Sequence, residues 1–342
     1  MEENTTLILE GGAMRGLFTS GVLDVFMEND LYFPQVAGVS AGALNGVNYV
    51  SHQPGRSRAV NLDYVNDPRY MGASHLIKDF SYFNFDFLLG EVSETLNPLD
   101  FDTLYSSPQK LWAVATDCRT GGPVFFEKNQ PGINFIDAVR ASASLPLMGR
   151  MVKVGRDVCL DGGVADPVTL PAELPCVCGK TVLVLTRQAG FRKGGQHRVV
   201  RRLYRRRYGA HPELLEACLT GPERYNQRMD EIDRLEEAGE IFVIRPDGPV
   251  TVSRAERSVE KLDALYHRRR RGGPARHEGV PGPGIKEKQR APGPNGPGAL
   301  LLALWGEKKK LSHSTRTRMT EGMAASWSAR AASMPPVTSS MV

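Results

Sequence analysis

Long apolar runs are absent from this chain. The longest late one, Leu300 to Trp305, falls far short of the ~20 residues that cross a bilayer as a helix, so no membrane-spanning segment is expected. The start, Met1-Glu2-Glu3-Asn4, carries neither a basic segment nor an apolar core, and no signal peptide is expected there. Cysteine is sparse: five residues, at 118, 159, 176, 178 and 218, with Cys176-Val177-Cys178 lacking the two-residue spacer of a zinc or redox pair. They are expected as reduced thiols in a cytoplasmic protein. No internal repeat is visible. A surplus of positive charge is also missing from most of the chain. Residues 268–342 hold 14 Lys and Arg against 4 Asp and Glu, whereas residues 1–267 are net negative at −5. The overall +5 therefore gives no ground for nucleic-acid binding by the folded part.

What is present is a chain able to build a substantial core, with 41% hydrophobic residues over 342 positions. Thr6 to Glu10 is a short apolar run ended by a glycine loop, and Val22, Leu23, Phe26 and Met27 then recur at helical spacing. A second run at Gln35 to Gly38 is followed by Leu44 and Val47 on one helix face. Strand, loop and helix twice in fifty residues predict a parallel α/β sheet. Residues 51–108 read as loop-rich, with Tyr70, Phe80, Tyr82, Phe83, Phe85 and Phe87 filling a core or lining an acyl pocket. Lys110 to Asp117 and Pro123 to Glu127 form a hairpin, Ile136 to Pro146 a helix and its stop, and Met151 to Leu160 a second hairpin ending at Asp161. Thr181 to Thr186 is a central parallel strand and Ile241 to Pro246 a late one. Ser253 to Glu256 reads as a capping box opening a helix with Val259, Leu262 and Leu265. From residue 268 a Gly/Pro/Arg-rich tail, too poor in apolar residues for a core, is expected to be disordered, giving one domain over 1–267 and a tail over 268–342.

The chemistry gathers at Gly38-Val39-Ser40-Ala41-Gly42, a G-x-S-x-G pattern. It places Ser40 as a nucleophile on a sharp turn between strand and helix, where side chains at positions 38 and 42 would collide. A serine hydroxyl needs a base and donors aimed at the developing oxyanion. His197, His211 and His267 follow in the order of an α/β-hydrolase, but Ser40 leaves room for only one βα unit before it, where that fold has several. Gly11, Ala13 and Gly16 also fit a relaxed dinucleotide-binding turn, yet the acidic residue wanted after the second strand is replaced by the Gly38–Gly42 turn. A glycine loop beside a nucleophile turn instead offers backbone N–H groups to an oxyanion.

Glu10-Gly11-Gly12-Ala13-Met14-Arg15-Gly16, then Gly38 to Gly42, then Asp161-Gly162-Gly163 resemble, in order and spacing, the signature of patatin-like phospholipases. The likeness covers roughly residues 5 to 250, and Ala138 to Pro146 resembles the small-residue helix end before that family's D-G-G motif. It implies a three-layer α/β fold with a mainly parallel sheet and a Ser-Asp dyad, Ser40 as nucleophile and Asp161 as general base. It further implies oxyanion amides from Gly12 and Ala13, with Arg15 orienting the loop or assisting with negative charge, and no metal or other cofactor. The family's third glycine is here Ala13, whose methyl is tolerable if the residue keeps a negative φ. Asp117 is a rival carboxylate, read as a turn residue before Thr120-Gly121.

The function expected is therefore hydrolysis of lipid acyl esters through an acyl-Ser40 intermediate. A soluble carboxylesterase or thioesterase, or a lipid-binding protein with a vestigial dyad, are the alternatives. Arg198, Arg201, Arg202 and Arg205 fall at i, i+3, i+4 and i+7 on one helix face. That face is either simply solvated or holds the protein peripherally at an anionic membrane surface.

Overall fold

The computed structural model describes residues 4–268, so all of the expected tail except Arg268 lies outside the described residues. In chain order the elements begin with β1 (Thr6–Leu9), α1 (Gly16–Glu28), β2 (Gln35–Val39), α2 (Ala41–Val50), α3 (Arg56–Tyr64) and α4 (Ala73–Asp79). A π-helix (Phe87–Leu96) and α5 (Phe101–Ser106) lead to β3 (Lys110–Asp117), β4 (Pro123–Glu127) and α6 (Phe135–Ser142). Then come β5 (Val152–Val154), β6 (Asp157–Asp161), β7 (Thr181–Val184), α7 (Arg198–Tyr208), α8 (Pro212–Leu219), α9 (Gly221–Glu237), β8 (Ile241–Ile244) and α10 (Val259–His267).

Strands β3, β2, β1, β7 and β8 run parallel side by side in a mixed sheet. Both faces are covered, which is why β1, β2 and β7 read as unbroken apolar runs. Ile8, Ala37, Trp112, Leu183 and Ile241 pack with Tyr225, Met229, Ile232 and Leu235 of α9 on one face. On the other, Gly46 of α2 sits over Leu9, Val36 and Leu111, so close that a Cβ there would lie 2.9 Å from Leu111 Cδ1.

The register around β3 fixes where the site forms. β4 runs antiparallel along one edge, opposite Trp112 to Thr116. The other edge is shared end to end: β2 pairs with Lys110 to Val114, and β6, running the opposite way, pairs with Ala115 to Asp117. The end of β2 therefore meets the end of β6, Val39 opposite Val114 and Asp161 opposite Ala115.

Two local expectations fail. Residues 51–108 are largely helical rather than loop. The helix after Ser253 starts only at Val259, capped by Ser258, whose Oγ accepts from Lys261 N at 3.3 Å. Glu256, assigned to the earlier box, accepts from the N–H groups of Arg257 and Ser258, in the turn before that helix.

Candidate active site

Ser40 sits between β2 and α2 with φ 55° and ψ −120°. For a residue with a Cβ this is a strained backbone, of order 1–3 kcal/mol, which surrounding structure must hold in place. Its carbonyl accepts from Ala43 N at 2.9 Å, and its N–H donates to Ser142 Oγ at 2.8 Å. Ser142 Oγ in turn donates to the Val114 carbonyl at 2.6 Å, tying α6 to the Ser40 turn and to β3. The flanking glycines answer to close approach: a Cβ on Gly42 would lie 2.3 Å from the Leu9 carbonyl oxygen, and one on Gly38 2.5 Å from Ala43 N.

Asp161 arrives from the opposite direction at the end of β6. Its N–H donates to the Ser144 carbonyl at 2.9 Å, so the segment after α6 braces the aspartate as Ser142 braces the serine. Its carbonyl accepts from Thr116 Oγ1 at 2.8 Å, and its Oδ1 from Gly163 N at 2.8 Å. A Cβ on Gly162 would lie 2.1 Å from the Val114 carbonyl oxygen, which explains the small residue after the aspartate. Asp161 is only 3% exposed, and its buried Oδ2 has no conventional hydrogen-bond partner among the described residues. Burial pushes its carboxyl up to about 6, against the opposing influence of the Ser40 hydroxyl, the Gly163 N–H, Arg254 and Lys193. A carboxylate so placed is charged at neutral pH yet basic enough to accept a proton.

The loop from Glu10 to Gly16 closes the third side. A Cβ on Gly11 would stand 3.0 Å from Ser40 Cβ, so the loop passes directly against Ser40. Gly12 packs on Thr186, and Gly16 on Ala41 of α2. The N–H groups of Gly12 and Ala13 donate to nothing among the described residues. Ala13 does not keep a negative φ: it lies at +49°, in the left-handed region, where its methyl costs roughly 1 kcal/mol relative to glycine. Arg15 is buried, with Nε unpaired among the described residues, and burial together with Arg187 and Arg254 lowers its pKa to about 10. Glu10 is held by Thr186 Oγ1, which donates to Oε2 at 2.9 Å, and by the Tyr225 hydroxyl, which donates to Oε1 at 3.1 Å.

Ser40, Asp161, Gly11, Gly12, Ala13, Arg15 and Gly163 line one cavity of about 440 Å³. A narrower apolar pocket of about 60 Å³ adjoins it, sharing Ser40, Ala13 and Leu145 and continuing past Met14, Leu44, Tyr70, Phe83 and Phe85. Of the aromatics with two readings, Tyr70, Phe83 and Phe85 are thus both buried and pocket-lining, whereas Phe80 is 69% exposed.

None of the three candidate histidines lines the cavity. His197 and His211 precede α7 and α8, and His267 faces Asp263 at 3.4 Å. Asp117 accepts from Arg119 N and Thr120 Oγ1 within its own turn. No group of three His, Cys, Asp or Glu side chains able to hold a metal ion occurs among the described residues. The five cysteines are unbridged.

Helix α7 borders the cavity through Val200 and Tyr204. Its outer face differs from the expected one in one residue. Arg201 turns toward α8, its Nη1 donating to the Leu219 carbonyl at 3.4 Å, while Arg198, Arg202, Arg205 and Arg206 are exposed together with Val199 (58%) and Leu203 (46%). Sequence reasoning did not single out Ser142, Ser144, Lys193 or Arg254. The two serines lie in the Ala138–Pro146 segment that the motif pattern marked without assigning them a task, and the two cations carry no local signal.

Residues 7–174 match the family model of the patatin-like phospholipases, and residues 211–278 that of a domain of unknown function, DUF6363. Among curated proteins the chain is 31% identical over 186 residues to the uncharacterized protein YjjU of Escherichia coli strain K12, covering 53% of this chain and 51% of that protein. It is 24% identical over 177 residues to the probable lipid hydrolase 463L of Invertebrate iridescent virus 6, covering 46% and 59%. The chain thus spans between half and three fifths of these relatives' lengths. The crystal structure of VipD from Legionella pneumophila aligns with TM-score 0.35 at 13% identity, over 77% of this chain and 67% of that one. Among the described residues no helix is long and apolar enough to cross a membrane.

Proposed function

We propose, from the patatin-like phospholipase domain at residues 7–174, that this protein is a lipid acyl hydrolase working through a Ser40–Asp161 dyad. The observation that carries the reading is the convergence on one cavity of a strained serine and a buried aspartate whose carboxyl is influenced by the Ser40 hydroxyl. The likeness to a relative named a probable lipid hydrolase points the same way.

In this mechanism Ser40 Oγ attacks the ester carbonyl as its proton passes to Asp161. The Gly12 and Ala13 N–H groups stabilise the oxyanion, worth on the order of 3 kcal/mol per donor in comparable sites. The carbon–oxygen bond to the alcohol breaks, the alcohol leaves with the proton from Asp161, and the acyl group remains on Ser40. Water then attacks the acyl carbon, giving its proton to Asp161; the carboxylic acid leaves and the proton returns to Ser40 Oγ. Arg15 adds positive potential beside the glycine loop.

The outer face of α7 supports peripheral contact of a cytoplasmic enzyme with an anionic bilayer. Exposed Val199 and Leu203 flanked by four arginines form a basic amphipathic surface beside the cavity, and each cation near such a surface contributes about 1 kcal/mol. Replacing Arg198, Arg202, Arg205 and Arg206 by Gln should weaken cosedimentation with vesicles of anionic lipid at low salt. Unchanged binding would return this face to plain solvation.

The enzymatic reading is tested with a fluorophosphonate probe. The parent protein should label at Ser40 and the Ser40→Ala variant should not. A folded parent that fails to label would exclude a serine hydrolase.

A further inference from the structure

The cavity beside Ser40 has two chemically distinct halves. Ser40, Ala13 and Leu145 stand on the boundary. The smaller side is apolar, and an acyl chain would extend there. The larger side, where the alcohol part of the ester would lie, is lined by Arg15, Arg187, Lys193 and Arg254 against only two carboxylates, Glu10 and Asp161.

Two carboxylates offset only part of the four positive charges, and neither makes a direct ion pair with them among the described residues. Both oxygens of Glu10 are taken by Thr186 and Tyr225, and Asp161 Oδ1 by the Gly163 N–H. Among the described residues none of the four cations forms an ion pair. Among the described residues Nε of Arg15 and Nε of Arg187 are buried without a partner, while Arg187 Nη1 donates to the Val250 carbonyl at 2.8 Å. Buried guanidinium donors left open are costly, and an anion with several acceptor oxygens satisfies them at once. Burial and the nearby Arg254 depress Lys193 to about 8, outweighing the opposing influence of Glu10 and Asp161.

The aromatic faces narrow the choice of anion. Lys193 Nζ lies 3.7 Å from the centroid of the Tyr225 ring, and the Arg187 guanidinium 4.5 Å from that of Phe191. Of the three aromatic side chains on the cavity wall, Phe191, Tyr204 and Tyr225, two of the rings that could hold a quaternary ammonium already carry the protein's own cations. A choline group entering here would meet positive charge on top of its rings. A terminal phosphate brings two negative charges and no cation.

We propose that Lys193, Arg254 and Arg187 form a subsite that selects acyl esters bearing a terminal phosphate monoester on the alcohol side, over zwitterionic and neutral head groups. The inference rests on the acyl-hydrolase reading above. All three residues lie beyond the matched domain at 7–174, so the selectivity comes from the segment that follows the domain carrying Ser40 and Asp161.

The test compares kcat/KM of the full chain on 1-octanoylglycerol 3-phosphate, 1-octanoylglycerophosphocholine and 1-octanoylglycerol, each below its micellar concentration. The phosphate monoester should be preferred over both others by at least tenfold. In Lys193→Met, Arg254→Met and the double variant that ratio should fall at least fivefold, mainly through KM, while Lys193→Arg should retain it. Inorganic phosphate should compete with the monoester in the parent and less well in the variants. Equal kcat/KM on the three esters in the parent overturns the proposal. So does a parallel loss on all three in the variants, because that result assigns the cations to support of Asp161 rather than to the substrate. If a parent that labels at Ser40 turns over none of the three, the subsite proposal fails alone; if labelling fails too, the hydrolase reading fails with it.

Discussion

Replacing Asp161 by asparagine should abolish hydrolysis and, at neutral pH and above, make the protein more stable. The carboxyl is raised from 3.8 to about 6 in the fold, chiefly by burial, and such a rise corresponds to about 3 kcal/mol. An acid whose folded pKa is raised adds stability that is fully present below its unfolded pKa and is lost as pH rises through the folded value. Above pH 6 the fold therefore carries a buried charge that asparagine, neutral throughout, does not impose. Gly163 N–H keeps an acceptor, since the amide oxygen can replace Oδ1. Thermal unfolding should show Asp161→Asn melting higher by roughly 6–12 °C at pH 8, at about 2–4 °C per kcal/mol for a domain of this size. The gap should close toward pH 4, where the parent aspartate is itself protonated. A variant no more stable than the parent at pH 8, or stabilised equally at pH 4 and pH 8, would refute the burial argument.

Four other outcomes follow from the geometry. Activity, as kcat/KM on a soluble short-chain ester, should fall as pH drops through about 6, where Asp161 takes up a proton; a pH profile flat down to 4.5 would contradict its role as base. Ser142→Ala leaves the Ser40 N–H and Val114 carbonyl without their shared partner, so urea unfolding should show a loss of about 2–4 kcal/mol together with reduced kcat. Ala13→Gly, which relieves a left-handed alanine at the expense of a floppier unfolded chain, should change stability by less than about 1 kcal/mol and keep activity. Gly42→Ala, with its methyl carbon 2.3 Å from a backbone oxygen, should fail to yield soluble folded protein, whereas an ordinary melting curve would show that the turn can open.

Much of this fold was legible because local and tertiary preferences agree. The run Thr181 to Val184 is apolar and β-branched because it is covered on both faces, and the same reason makes β1 and β2 readable. The stretch 51–108 was not readable. Helix α3, Arg56–Tyr64, shows no apolar stripe and is pinned by Arg56, which donates to Asn48 Oδ1, Ser93 Oγ and the Asn97 carbonyl. Such polar tertiary contacts leave no periodic trace. The π-helix bonds at i to i−5, as Asn97 N to the Val92 carbonyl, which smears the 3.6-residue pattern. At Ser253 the capping pattern had a competitor five residues on. Arg254 lines the cavity from the turn before Ser258, and the helix begins only after it.

In the site, the three motifs could be found because each must be small or fixed where backbones touch: Gly11 against Ser40, Gly42 against Leu9, Gly162 against Val114. The supports could not. Ser142 is an ordinary serine near a helix end, and Lys193 and Arg254 stand 61 residues apart in an arginine-rich chain. Only the folded arrangement brings them to one cavity.

The central claim, that Ser40 carries the acyl group and Asp161 its proton, is tested most directly by trapping the intermediate. The protein is mixed with p-nitrophenyl octanoate, quenched in acid within the first turnover, and its intact mass and peptide map are measured. The parent should gain one octanoyl group, located on Ser40. Ser40→Ala should gain none, and Asp161→Asn should acylate at least a thousandfold more slowly, as expected when one member of a catalytic unit is lost. An octanoyl group found on another residue, or acylation of Asp161→Asn at the parental rate, would contradict the account.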